Sequence, residues 1–395
     1  MQSQEQKIVI TLENIAPTNG TSLAPVWFGF HNGQFDSFDA GKKASAAIET
    51  LAEDGSPAPL TQEFSDKGFG SAQGMLVNPA GGGIGPGVVS QSKIEIDGSD
   101  ASSRYFSYAG MILPSNDQFI ANDDAREYQI FDKNGKFLGA EIIVGRTDAW
   151  DAGTEVNDEI PENTAFFGQT TPNTGVDENG VVTRGQGFLP QGSGGILDDP
   201  RFANADYTVK GYQFATIRIA NLVEGTKESD ILLGTAAPDD IYTGGGDNFV
   251  LAKGGNDRIY ARAGNDYLVG GAGDDLIDAG NGNNKLRGGE GDDRLYSGNG
   301  NDIIFGGAGD DLIDSGVGYD KVFLGADRDL VVLNAGKGET KIYGFDRDDR
   351  FSLGEGSIER EDLALKTFGG DTSIYYGKDL LAIVYDIKLD DLTIV

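Results

Sequence analysis

The sequence predicts an all-β chain: an antiparallel β-sandwich with one short helix, then a parallel β-roll, then a C-terminal β-hairpin cap. Three observations predict it. Before Gly225, short runs of aliphatic and β-branched residues alternate with turn clusters. From Gly225 to Val332 the chain divides into twelve consecutive nine-residue units without insertion or deletion. After them, Tyr376-Gly377-Lys378 stands as a turn between two apolar runs, with a final strand beyond.

The sandwich strands are read from KIVITLENI (7–15), SKIEI (92–96), EYQIF (127–131), AEIIVG (140–145) and QFATIRIAN (213–221), with KNGK (133–136) and DENG (177–180) among the intervening turn clusters. Branched and aromatic side chains suit a pleated, half-buried surface, and Asn-Gly pairs suit tight turns. One segment has a different period. In DAGKKASAAIETLAEDG (39–55), Ala44, Ala47, Ile48 and Leu51 recur at helical spacing and Gly55 ends the run.

The letters GGAGDDLID occupy 270–278 and return unchanged at 306–314, four nines later. In the nine-residue frame the sixth place reads Asp230, Asp239, Asn248, Asp257, Asp266, Asp275, Asn284, Asp293, Asp302, Asp311, Asp320 and Asp329. The eighth is always aliphatic, from Leu232 to Val331, and the fourth is glycine in nine successive units from Gly246 to Gly318. Glycine allows a tight turn and close carbonyls. An inward aliphatic flanked by tolerant positions makes a very short strand. Two nines therefore make one coil, and six coils at about 4.8 Å stack roughly 29 Å long. A flexible linker does not keep an aliphatic residue at fixed phase.

One aliphatic residue in nine is a thin core, and carboxylates stacked coil on coil repel. A hard divalent cation that takes oxygen from both Asp side chains and turn carbonyls answers both problems, so calcium is the expected ion. Composition agrees. The 395 residues suffice for two or three domains, carry a formal charge of -32 and include no cysteine. Such acidity argues against nucleic acid or an anionic membrane as partner. Without cysteine there is no disulfide, thiolate zinc site or thiol redox chemistry. No stretch is long and apolar enough to be read as a transmembrane segment, and MQSQEQKIVITLENIA lacks the basic start and apolar run of a secretory signal.

The repeats resemble the RTX, or haemolysin-type, calcium-binding nonapeptides, over a little more than a quarter of the chain. The resemblance implies calcium at Asp257, Asp266, Asp275, Asp293, Asp302, Asp311 and Asp320. It also implies type I secretion directed by an uncleaved carboxyl-terminal region. Sixth places eighteen apart share a flank of the roll, so Asn248 and Asn284 fall on one side. An amide oxygen can ligate, but each asparagine removes a charge, which predicts weaker sites beside them.

A second resemblance lies upstream. LAPVWFGFHNGQFDSFDAGKKASAAIETLAEDG (23–55), SYAGMILPSNDQFI (107–120) and DAGTE (151–155) occur in the order of corresponding blocks of the spondin amino-terminal domain. That family implies a C2-like β-sandwich holding calcium through three acidic side chains, which fall here on Asp117, Asp151 and Glu155. Glu155 is one methylene longer than the family's aspartate, and the cysteines of animal relatives are missing. Read without the resemblance, Asp117 and Asp151 also fit turn formers and strand caps.

AGGGIGPG (80–87) lacks the Lys-Ser/Thr end of a phosphate loop and reads as an exposed loop. His31 is the only histidine, so there is no HExxH zinc motif, and no Gly-x-Ser-x-Gly elbow accompanies it. A packed, hydrogen-bonded histidine is expected. The organisation expected is a spondin-like sandwich over 1–221, a calcium-binding roll over 222–341, and a cap with secretion region over 342–395. Function follows as a secreted, non-enzymatic calcium-binding protein of the cell surface or extracellular matrix. Its partner would be a glycan, a protein or another copy of itself. The alternative is an RTX exoenzyme with carboxylate-only, glycosidase-like chemistry in the N-terminal half.

Overall fold

The computed structural model describes residues 5–155, 159, 164, 178–334, 338–354 and 362–387. The chain divides into two compact units, Met1–Ala220 and Asn221–Val395. It is nearly all β, with two α-helices among the described residues.

The first unit holds two sandwich-like sheets. In one, strands Val89–Asp97, Glu5–Asn14, Gln213–Glu224 and Ala140–Gly145 lie side by side in that order. The outer pairs are antiparallel, with Ile8 opposite Ile94 and Ile217 opposite Ile142. These are the segments that the alternating pattern picks out. The other sheet runs Thr183–Arg184, Ala149–Asp151, Gln118–Ala121, Tyr105–Leu113, Val26–His31, Gly70–Leu76. Its central strands escaped the sequence reading for a physical reason. Every residue of Val26–His31 is buried, as are eight of nine in Tyr105–Leu113, so neither shows a polar alternation.

Helix Ala46–Asp54 matches the expected segment. The Ser45 hydroxyl accepts the Ile48 N–H at 3.3 Å, and Gly55 closes the helix at φ 64°. A second helix, Ala58–Lys67, adds to the one expected. Pro59 lies in its first turn, where a missing N–H leaves no bond unmade. Ile48, Leu51, Leu60 and Phe64 share a core with Trp27, Ala109 and Phe119, and Phe64 meets Trp27 edge-on at 5.2 Å.

The second unit is a parallel β-roll of about seven turns. Strands eighteen residues apart pair in register, as in Ile259 with Ile277 on one sheet and Leu268 with Leu286 on the other. The eighth-place aliphatics of the two sheets face each other and fill the space between them as one continuous core. Past Val332 the spacing lengthens to twenty: Leu330 pairs with Arg350 and Tyr319 with Glu339, so the roll outlasts its strict period. The expected hairpin is formed by Asp371–Tyr376 and Asp379–Val384. Its second strand pairs in parallel with Glu339–Tyr343, and Ile374, Leu381 and Val384 join that core. The expected final strand falls on residues 388–395, outside the described residues.

Candidate metal centres

Each turn of the roll delivers a sixth-place side chain inward beneath the turn before it. Its Oδ1 accepts the backbone N–H of the sixth-place residue eighteen positions earlier. On one flank Asp239 donates to Asp257, Asp257 to Asp275 and Asp275 to Asp293, each at 2.8 Å, and Asp293 donates to Asp311 at 2.9 Å. On the other, Asn248 donates to Asp266 at 2.8 Å, Asn284 to Asp302 at 2.7 Å and Asp302 to Asp320 at 3.0 Å. The ladder thus orders the seven predicted roll residues into two columns, with Asp257, Asp275, Asp293 and Asp311 in one and Asp266, Asp302 and Asp320 in the other.

Ordering Oδ1 leaves Oδ2. In Asp266, Asp293, Asp302, Asp311 and Asp320 this second oxygen is buried with no hydrogen-bond partner. A buried carboxylate oxygen in that state is costly unless a cation meets it. The titration behaviour reports the cost: burial, reinforced by neighbouring carboxylates, pushes Asp293, Asp311 and Asp329 up to about 7. Burial raises Asp302 and Asp320 to about 6 and moves Asp266 in the same direction.

The turn around these oxygens is built for oxygen donors. A Cβ at Gly288 would collide with Oδ2 of Asp293 and stand 2.8 Å from the Gly306 carbonyl. Gly291, at φ 116°, lies against the carbonyl of Gly273 one coil away. Among the described residues no three acidic or histidine side chains converge into a cluster. The donor set is therefore backbone carbonyls with a carboxylate from each rung, which is hard-cation chemistry and suits calcium rather than zinc.

Two rungs differ. The Asn248 amide nitrogen donates to the carbonyls of Gly245 at 3.2 Å and Gly246 at 2.8 Å and to Oδ1 of Asp266 at 2.9 Å. That of Asn284 donates to the carbonyls of Gly282 at 3.2 Å and Ser297 at 3.3 Å. At these levels turn oxygens are satisfied by N–H groups. The ends of the columns are closed in another way: Oδ2 of Asp230 accepts the Thr226 N–H and Oδ2 of Asp239 the Thr235 N–H.

Two features escaped the sequence reading. Asp349 completes one column, accepting the Asp329 N–H at 2.9 Å, and was hidden by the twenty-residue step. A second, exposed ladder runs through the fifth places in the opposite sense, as in Asp292 N–H to Asp274 and Asn283 N–H to Asn265. Its signal is plain in hindsight: the fifth place is Asp or Asn in eight successive units from Asp247 to Asp310.

In the first unit, Asp117 and the 151–155 loop come together. Oδ2 of Asp117 accepts the N–H groups of Thr154 at 2.9 Å and Glu155 at 3.0 Å, while its Oδ1 is buried without a partner. Oδ1 of Asp151 accepts the Gly153 N–H at 2.8 Å, a turn-forming role. Asp117, Asp151 and Glu155 are all buried. Burial, then the charge of Asp151, pushes Asp117 up to about 7. His31 is fully buried; Nδ1 accepts the Gly33 N–H at 3.1 Å, which assigns the proton to Nε2, 3.0 Å from the Ser107 hydroxyl. Burial lowers it to about 4, so it is a neutral, packed histidine.

No curated protein matches the chain. Among solved structures it is similar to the extracellular lipase LipA from Serratia marcescens, at 15% identity over 42% of this chain and 40% of that one. The TM-score of 0.17 is too low to carry an argument. The family model for the RTX calcium-binding nonapeptide repeat matches residues 224–259, 251–286 and 287–322. The C-terminal unit therefore carries RTX calcium-binding nonapeptide repeats, and calcium is their ion.

Proposed function

We propose that this is a secreted, non-enzymatic calcium-binding protein of the cell surface or extracellular matrix. Its roll folds on meeting calcium, and its spondin-like sandwich holds a glycan, a protein or a second copy. The observation that carries the reading is the column of buried, partnerless carboxylate oxygens at Asp266, Asp293, Asp302, Asp311 and Asp320. We assign these, with Asp257 and Asp275, as roll ligands, and Asp117 with Asp151 and Glu155 as a further calcium site in the sandwich, whose three side chains do not form a cluster without the ion and would have to close on it. A chain that stays unfolded where calcium is scarce suits passage through a narrow type I channel. Removing residues 342–395 should then retain the protein inside its cells, and normal export of the truncated form would refute that route. Recovery of the same surface component by the full chain with calcium, and not with chelator, tests the partner.

A hydrolase reading rests on a cavity of about 580 Å³ lined by Asp151, Glu159 and Glu178. Glu159 fits that role poorly, because its carboxylate already accepts the N–H groups of Leu189 and Ile196. A polysaccharide hydrolysis screen of the parent and of Asp151→Asn decides: release of sugar by the parent alone would favour the hydrolase.

A further inference from the structure

One outward face of the roll is unlike the rest of this acidic chain. On the sheet that runs from Ile231–Leu233 to Glu339–Tyr343, parallel pairing aligns two columns of outward side chains, through Tyr267 and through Val269. Those columns carry Lys285, Arg287, Lys321 and Lys341 and no acid; their other members are aliphatic or aromatic. Outside these columns, Glu290 lines one end of the larger hollow, which Lys253 and Arg287 also line, and Glu339 is paired with Lys341 at 3.2 Å. The outward face of the opposite sheet, by contrast, mixes Asp240, Asp278 and Asp314 with its arginines.

The aromatic members are ordered. Phe305, Phe323 and Tyr343 stack at 4.8 Å with interplanar angles of 9° and 13°. Lys285 Nζ lies 5.0 Å from the Tyr267 ring and 5.6 Å from Phe305. Rings stacked face to face leave their edges outward, and the edge is the positive pole of the ring quadrupole. Beside the stack, Gly271, Gly289, Gly307 and Gly325 form a column without side chains. The result is a channel with two hollows of about 500 and 430 Å³, and Arg287 lines both. The channel floor is already paired within the sheet, so it has no free edge for an added peptide strand.

We propose that this channel binds a linear acidic polysaccharide, a chain of carboxylated sugars. Arg287 would meet a carboxylate through both arms of its guanidinium, Lys285 and Lys321 would add charge, and the ring edges would meet sugar oxygens. The larger hollow borders the calcium turn at Gly288, and the surface depends on the calcium rungs for its fold.

The test uses the full chain with calcium and fluorescent oligogalacturonate, read by anisotropy at low and high salt. Expected are saturable binding that weakens with salt, no binding to neutral dextran, and a loss of about tenfold or more in Arg287→Ala. Lys321→Ala should lose less. Circular dichroism and calcium stoichiometry of each variant separate loss of the channel from loss of the roll; if Arg287→Ala fails to fold, Lys321→Ala decides. Parent-like affinity in the folded variants would mean that calcium merely bridges acids on both molecules, and would overturn the proposal. Equal binding of dextran or of double-stranded DNA would overturn it too. So would self-association of the chain alone that Arg287→Ala abolishes, since the occupant would then be a second copy.

Discussion

The side-chain amide nitrogen of Asn248 lies 2.9 Å from Oδ1 of Asp266 and 2.8 Å from the Gly246 carbonyl, so an N–H group occupies a turn carbonyl that an aspartate at this level would leave to a cation. The two flanks of the roll are therefore chemically unequal. One is aspartate at every level from Asp239 to Asp329, and the other is interrupted at Asn248 and Asn284.

Replacing Asn284 by Asp removes an amide donor from the Gly282 carbonyl and adds a charge. Calorimetric titration of the full chain should show tighter calcium binding and an additional bound ion in Asn284→Asp. Asp275→Asn should do the reverse and loosen the stack around it. Unchanged isotherms in both variants would show that charge count does not govern these sites.

Chelation should unfold the roll and spare the sandwich. Twenty acidic against nine basic residues lie between Gly225 and Val332, and the glycine-rich turns lose much entropy on ordering. Hydrogen exchange of the full chain should be fast throughout the roll in chelator and slow at about millimolar calcium, the range of extracellular calcium modules. Protection of residues 249–326 in chelator would count against ion-driven folding.

Acid should act in opposite directions with and without the ion. In chelator, folded Asp293 and Asp311 keep protons up to about pH 7, whereas the ordinary aspartate value is 3.8. The folded chain then binds more protons than the unfolded one between those limits, so stability rises as pH falls through that window. Calcium competes with the same protons, so its affinity should drop as pH falls from about 7.5 to 5.5, with protons released on binding. Titrations in buffers of different ionisation enthalpy measure both, and a pH-independent affinity would refute the coupling.

Truncating the core should tell on calcium-driven folding. Ile277 is fully buried, and Ile277→Ala should cost about 2–5 kcal/mol. The calcium midpoint for folding should move upward accordingly. Ile231, 76% exposed, is the control, with an effect of about 0.5 kcal/mol or less in Ile231→Ala.

Asp117 offers a clean test of the sandwich site. Asn keeps the acceptor for the Thr154 and Glu155 N–H groups but removes a buried charge. Asp117→Asn should raise the melting temperature in chelator and abolish any rise on adding calcium. A parent-like calcium response would remove Asp117 from the ligand set.

By itself the sequence determined the roll, because a period of nine with three constrained columns admits few structures and the eighth-place aliphatics have one place to go. It also determined the helix ending at Gly55, the hairpin at Gly377 and the strands of one sandwich sheet, whose β-branched runs stand between clear turn clusters. Only the tertiary structure decided the rest. Val26–His31 and Tyr105–Leu113 are covered on both faces and carry no period to read. Asp349 enters its column two residues late, after a longer turn that breaks the frame but not the pairing. The sixth place named the carboxylates, yet which oxygen of each is consumed by a backbone N–H and which is left buried depends on the coil stacked above it. The same holds for the cationic channel: Lys285, Arg287 and Phe305 are scattered along the chain, and parallel pairing alone sets them side by side.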